Sequence, residues 1–211
     1  MQKNMKKIFS FFHSAKPILN AAEYFDQGKA NYDLQNYREA IDDYNRAIKI
    51  NPAFKEAYYN RGLSKLSSRD YWGAITDFTK VINIDPAYTE SYYNRGLTKL
   101  FQQDNKGAMA DFTKVLELDP KNTDALSNRG KAKFELKNHR GAIEDYTKLI
   151  LINPENSKAY YHRGVSKLLL QDNSGGIADF TKVLELDPGN VDAQKFLDSA
   201  YMLQDMQKYG L

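Results

Sequence analysis

Tyr58-Tyr59-Asn60-Arg61-Gly62, followed by Ala74-Ile75, Asp77-Phe78, Ile84 and Pro86, is the stretch on which the fold turns. Moving 34 residues along the chain gives Tyr92-Tyr93-Asn94-Arg95-Gly96, Ala108-Met109, Asp111-Phe112, Leu118 and Pro120. The register holds outward as well: Gly28, Gly62, Gly96, Gly130 and Gly164 are evenly spaced, as are Pro52, Pro86, Pro120, Pro154 and Pro188. A fixed period of this length, running from 21 to 190 without insertion, marks a solenoid. Such an array buries its core between neighbouring units instead of at one centre.

Each unit reads as two helices. In the second unit Tyr58, Gly62 and Leu66 fall on one helical aspect, with Tyr59 and Leu63 on another. A second helical pattern follows through Ala74, Ile75, Phe78, Val81, Ile82 and Ile84. The residue before each second helix is Asn36, Asp70, Asp104, Asn138 or Asp172, all side chains able to accept from first-turn amides. Asp or Asn followed by Pro, as in Asp85-Pro86 and Asn153-Pro154, stops the second helix. The unit is therefore an antiparallel helix pair. A glycine inside a helix costs about 1 kcal/mol, so its periodic return predicts a close contact at each of these positions. Gly175-Gly176 departs from the Gly-Ala found elsewhere and predicts a loose start to the second helix there.

The period, glycines and prolines together resemble the tetratricopeptide repeat. The resemblance implies an all-α, right-handed superhelical solenoid of five repeats, at 21–54, 55–88, 89–122, 123–156 and 157–190. A basic and aromatic extension (1–20) precedes them and a capping helix (191–211) follows. It also implies that Gly62 and Ala74, and their equivalents, are where the two helix backbones come nearest. The chain departs from the family at the seventh, eleventh and twenty-third positions, which the family usually fills with apolar or aromatic side chains. Here they hold Arg61, Lys65 and Asp77, then Arg95, Lys99 and Asp111, Arg129, Lys133 and Asp145, and Arg163, Lys167 and Asp179. The three changes occur together and point to a compensated ionic contact, within a repeat or between successive ones. The first repeat has Gln27 and Asn31 but keeps Asp43, which on this reading reaches forward to Arg61.

The chemistry of a catalyst is not evident. The three histidines, His13, His139 and His162, stand in unrelated places, and the glycines lie within helices and not in a phosphate loop. Cysteine is absent, which excludes disulfides and thiolate metal sites. We expect no enzyme, no metal and no cofactor. With 30 basic against 27 acidic residues the net charge is only +3, so nucleic acid is not an expected partner. No apolar run is long enough to span a bilayer. Lys3, Lys6 and Lys7 before Ile8-Phe9-Ser10-Phe11-Phe12 superficially open like a signal peptide, but the apolar stretch ends at His13. The extension reads as a helix lying on the end of the first repeat, with membrane-surface contact by residues 1–16 as the alternative. A cytoplasmic location follows by default, and the oligomeric state is left open.

What remains is a concave groove, which the resemblance implies is lined by the first helices. At the fifth, sixth and ninth positions it would present Tyr59, Asn60 and Leu63, then Tyr93, Asn94 and Leu97. Asn128 and Lys131 continue the line, followed by Tyr161, His162 and Val165. An Asn amide offers donors and an acceptor, so three in a row can hold the backbone of an extended peptide. That run is similar to the asparagine ladder of O-linked N-acetylglucosamine transferases. A consensus role in folding, with each Asn bonded to a neighbouring helix, is the competing explanation. The two-carboxylate clamp of co-chaperone repeats is a poor match, because Tyr93 and Leu97 stand where its Lys and Asn belong; only Asn128, Lys158 and His162 imitate it. Acidic side chains at the second position (Glu56, Glu90, Asp124, Asp192) favour a neutral or basic ligand. The expected function is a non-enzymatic scaffold binding a peptide or helix of another protein. The alternative is an assembly subunit that oligomerises, or attaches to a membrane surface, through its terminal helices.

Overall fold

The computed structural model describes residues 19–209. These form α1 (Ala21–Asp33), α2 (Tyr37–Ile50), α3 (Lys55–Ser67), α4 (Tyr71–Ile84), α5 (Thr89–Phe101), α6 (Asn105–Leu118), α7 (Thr123–Glu135), α8 (His139–Ile152), α9 (Ser157–Leu169), α10 (Asn173–Leu186) and α11 (Val191–Tyr209). No strand occurs among the described residues. Each helix packs on the one before and the one after, the tightest pairs being the two helices of one repeat. First helices of successive repeats also touch along α1, α3, α5 and α7, and α9 touches α11. The expectations for the extension, both the packed helix and the membrane contact, fall on residues outside those described.

The turn inside each repeat is built by one residue working in two directions. Asp70 donates its backbone N–H to the Lys65 carbonyl at 2.8 Å, closing α3, and its carboxylate accepts the Gly73 N–H at 3.0 Å, opening α4. Arg69, just before it, donates to Leu66 O at 3.0 Å and takes a left-handed conformation with φ 64°. This double closure is the Schellman arrangement. Gln35, Gln103, Lys137 and Gln171 repeat the left-handed turn. The predicted caps hold at Asp70, Asp104, Asn138 and Asp172, whereas the Asn36 side chain makes no capping bond. The loose start predicted at Gly175-Gly176 is not found. α10 begins with Asp172 accepting from Gly175 N–H at 2.9 Å, and Leu168 fills the space where a Gly176 Cβ would stand, its Cδ2 only 2.6 Å away. Because a side chain at φ near 60° is strained and glycine is not, Gln103→Gly is expected to stabilise the fold by about 0.5–1 kcal/mol. A higher urea midpoint at unchanged m-value checks it.

The core alternates large and small. Tyr44, Phe78, Phe112, Tyr146 and Phe180 are essentially fully buried, one from each second helix. Their rings lie against the glycines of the paired first helices: a Cβ on Gly62 would stand 2.8 Å from Phe78, and one on Gly28 2.6 Å from Tyr44. The close contact predicted at these glycines is therefore with an aromatic ring. Small side chains make the other interface, where a first helix lies on the repeat before it. Ala57, Ser91, Ala125 and Ala159 are buried, as are Ser64, Thr98, Ala132 and Ser166 two turns further along the same helical face. Their first-repeat equivalents, Glu23 and Ala30, are exposed. Ala193 and Ala200 continue both series into α11, fully buried on repeat five beside Phe196 and Leu197. α11 thus packs like the first helix of a sixth repeat, with Asp198 in place of the glycine.

The ionic triplets pair within their own repeat. Arg61 grips Asp77 with two bonds, Nε to Oδ2 at 2.9 Å and Nη2 to Oδ1 at 2.5 Å, and Lys65 Nζ reaches Asp77 Oδ2 at 2.8 Å. The same geometry recurs at Arg95–Asp111–Lys99, Arg129–Asp145–Lys133 and Arg163–Asp179–Lys167. The third guanidinium nitrogen crosses to the preceding repeat: Arg95 to Thr79 at 2.9 Å, Arg129 to Thr113 and Arg163 to Thr147, each at 3.2 Å. Each triplet therefore binds its own helix pair ionically and is tied to the preceding repeat by a bond from its guanidinium to a neutral hydroxyl. Asp43 does not reach Arg61. It accepts from Asn31 Nδ2 at 2.9 Å, and Arg61 Nη1 goes to Asn45 instead.

Candidate functional site

First helices touch along α1, α3, α5 and α7, and α9 touches α11, which sets their outward faces side by side. The asparagines sit on these faces, but their donors are already engaged. Asn94 Nδ2 donates to Glu90 O one turn back at 2.9 Å and to Tyr59 Oη of the preceding repeat at 2.9 Å. Asn128 Nδ2 donates to Asp124 O at 2.9 Å and to Tyr93 Oη at 3.3 Å. Asn60 Nδ2 donates only to Glu56 O at 2.8 Å, since Phe25 in the repeat before it has no hydroxyl. The expectation that each Asn offers donors and an acceptor to a ligand is corrected at Asn94 and Asn128. Both amide protons are used internally, and no described donor takes the Oδ1 atoms, which leaves acceptors facing out. Bonding to a neighbouring helix, the competing explanation for the column, is present for the donor half.

The tyrosines knit the surface together. Tyr59 packs on Tyr88 (5.2 Å between ring centres) and Phe78 (5.9 Å). Burial, then Tyr88 and Glu90, push its phenol up to about 12, so it stays neutral and acts as a hydrogen-bonding group. Tyr93 stands edge-on to Phe112 at 5.8 Å, and burial raises its pKa too, with Asp124 adding to the effect. The Tyr59–Asn94 and Tyr93–Asn128 pairs are thus the units that the fold assembles. Tyr161 differs: Phe180 and Phe196 flank its ring, both edge-on, at 5.9 and 5.8 Å, so the closing helix shares it. Leu97 packs against the central core and Val165 against the terminal cluster, and Leu63 is half-buried. Lys131 is exposed and lines a separate hollow with Leu100, Gln103, Asn105 and Glu135.

His162 has no tyrosine hydroxyl in front of it, because repeat four carries Ser127 at that position. Its ring lies flat on Tyr146, 5.5 Å away at 21°. The residue as a whole is exposed, with one ring face covered by Tyr146. Burial of the ring, followed by Lys131 and Lys158, holds its pKa below the ordinary histidine value.

Two further hollows between repeats adjoin the first-helix surface. One, of about 370 Å³, is bounded by Glu90, Tyr93, Asn94, Asp119, Asn122 and Asp124. The other, of about 400 Å³, is bounded by Lys158, Tyr161, His162, Asp187, Asn190 and Asp192. They are the same place in the repeat, displaced by two units. The loop residues Asp119, Asn122, Asp187 and Asn190 escaped the sequence reading, which considered only first-helix positions; tracking the loops at the same period would have found them. No group of three metal-ligating side chains occurs among the described residues. Nor is any described helix long and apolar enough to cross a membrane.

Comparison with known proteins agrees with this architecture. The chain resembles, in the solved structures, MamA from Desulfovibrio magneticus RS-1, at 23% identity and TM-score 0.74, over 81% of this chain and 97% of that one. It likewise resembles YrrB, described as a TPR protein with an unusual peptide-binding site, at 17% identity and TM-score 0.75, over 82% and 89%. A tetratricopeptide repeat protein from Parabacteroides merdae superposes with TM-score 0.76 at 16% identity, over 88% and 73%. At these identities the likeness concerns the fold alone. No curated protein sequence matches the chain. The sequence profile described as a tetratricopeptide repeat matches 55–88, 89–122, 123–156 and 157–190, and a second, described as a TPR repeat, matches 24–68. With most of its length matched in register, the chain belongs to the tetratricopeptide repeat family.

Proposed function

We propose that this chain is a non-enzymatic scaffold that holds an extended segment of a partner polypeptide along the surface of its first helices. One observation carries the reading: Tyr59–Asn94 and Tyr93–Asn128 repeat the same hydrogen-bonded unit, each leaving an Asn Oδ1 open. A peptide backbone in extended form presents N–H groups to such acceptors, while Leu63, Leu97 and the tyrosine rings supply apolar area. Each bond adds only about 1 kcal/mol net, so affinity comes from several acting together. The unpaired acceptors and the acidic side chains beside them suit a neutral or basic segment. The peptide-binding site named for the structural neighbour YrrB fits the same reading. A second reading has its own support: Tyr201, Met202, Leu203 and Met206 of α11 are each at least 40% exposed, an apolar surface suited to self-assembly.

A photo-crosslinking amino acid placed in turn at Leu97, at Ala110 on a second helix, and at Met202 separates the two. We expect capture of partner polypeptide at Leu97, none at Ala110, and loss of the Leu97 product when Asn60, Asn94 and Asn128 are all changed to Ala in a chain of unaltered helicity. Capture confined to Met202, yielding a product of twice the chain mass, would replace peptide binding with assembly.

A further inference from the structure

The chain contains its own example of what the hollow between two repeats receives. Where repeat two meets repeat three, Lys55 sets its ammonium against Asp85 Oδ2 at 2.8 Å, with Glu56 at 3.9 Å and the Tyr88 ring centre 4.8 Å away. One repeat further on, Thr89 stands in place of Lys55, Asn122 in place of Tyr88, and Asp124 in place of Glu90, while Asp119 is retained. The carboxylate stays and its cation is gone. Asp119 accepts only from neutral donors, the Lys121 backbone N–H at 3.2 Å and Asn122 Nδ2 at 3.3 Å. Glu90, Asp119 and Asp124 have no ion-pair partner among the described residues, and the space before them is about 370 Å³.

The other interfaces lack this combination. Between repeats four and five the loop acid becomes Asn153. Between repeat five and α11 the acid returns as Asp187, but Lys158 and His162 line the same hollow and Lys158 supplies a cation of its own. Only the hollow between repeats three and four keeps the acid of the Lys55 interface with neither the internal lysine nor a substitute.

We propose that this hollow seats a lysine side chain of the bound polypeptide, with Asp119, Glu90 and Asp124 around its ammonium and Asn94 Oδ1 beside it. The inference rests on the groove reading above and gives it a register: one basic side chain positioned at the junction of the third and fourth repeats. Tyr93 lines the hollow and provides a wall for the methylenes of that lysine.

Two experiments on the full chain test it. The first needs no ligand. Thr89→Lys restores the internal lysine, and we expect a rise in Tm of about 1–3 °C that disappears when Asp119→Asn is added. No rise, or a rise indifferent to Asp119, overturns the seat whatever the groove binds. The second uses an oriented library of N-acetylated decapeptides with each residue type fixed in turn. The native chain should favour Lys over Gln at one position by about fivefold or more. Thr89→Lys and the Asp119→Asn/Asp124→Asn pair should each abolish that preference and leave preferences elsewhere unchanged. Peptides that bind without any basic preference overturn the seat and leave the groove reading intact. Binding confined to peptides with a free amino terminus overturns it in favour of a terminal ammonium. If no peptide binds the native chain, the groove reading fails and the seat fails with it.

Discussion

Asp111→Ala is expected to lower the unfolding free energy by about 3–5 kcal/mol. Asp111 is 3% exposed and receives three charged donors: Arg95 Nε at 3.0 Å, Arg95 Nη2 at 2.6 Å and Lys99 Nζ at 2.7 Å. Removing it strands two half-buried cations beside each other without a counter-charge. Arg95→Ala should cost less, about 1.5–3 kcal/mol, because Lys99 still neutralises Asp111. It loses more than charge, however, since the guanidinium also bonds Thr79 of the preceding repeat and lies over the Tyr92 ring at 5.6 Å. Replacing the triplet together, Arg95→Met with Lys99→Met and Asp111→Leu, should return most of the stability, because no charge is then left unpaired. Urea unfolding of the three variants reads these differences as shifts in midpoint. A cost below about 1 kcal/mol for Asp111→Ala would put the triplet in the class of surface ion pairs.

The repeat is legible because every period restates the same residues: a glycine in the first helix, Asp or Asn at the turn, Pro after the second helix. Sequence pattern alone does not decide which of two residues takes a shared partner, or what fills the space beside a glycine. Asp43 has no Arg at the seventh position of its own repeat, so the sequence points it towards Arg61; the nearer Asn31 amide takes it first. Gly175-Gly176 looked like a weak helix start when judged by propensity alone, yet Leu168 from the facing helix occupies the vacated volume. The asparagine column is visible in the sequence as a set, but its hydrogen bonds depend on Tyr59 and Tyr93 lying one repeat back, a relation across about 35 residues that no local pattern displays. The ionic triplets were recognisable from their joint occurrence. That one Arg serves both its own repeat and the one before follows from the fork of the guanidinium and needed the geometry to be seen.

Phe112→Ala should be the costliest apolar substitution of the array's centre, at about 3–5 kcal/mol. The ring is fully buried, and the Cβ that Gly96 lacks would stand 3.0 Å from its Cε1 and Cζ atoms. Gly96→Leu should by itself cost about 1–3 kcal/mol through overpacking, less than it otherwise would because leucine improves on glycine in a helix by up to about 1 kcal/mol. Combined, the two changes should fall short of the sum of their separate costs by about 0.5–3 kcal/mol, since the leucine grows into the space that the ring leaves. Strict additivity would mean that the glycine serves the approach of the two helix backbones, the role implied by resemblance, and that the ring is incidental to it. The consequence reaches the surface as well. Tyr93 leans edge-on against Phe112 and holds the Asn128 amide through its hydroxyl, so the alanine variant should loosen that unit and reduce crosslinking at Leu97. Gly96→Leu in the Phe112→Ala background should restore part of the crosslinking along with the stability, because the same buried volume supports both the core and the binding face.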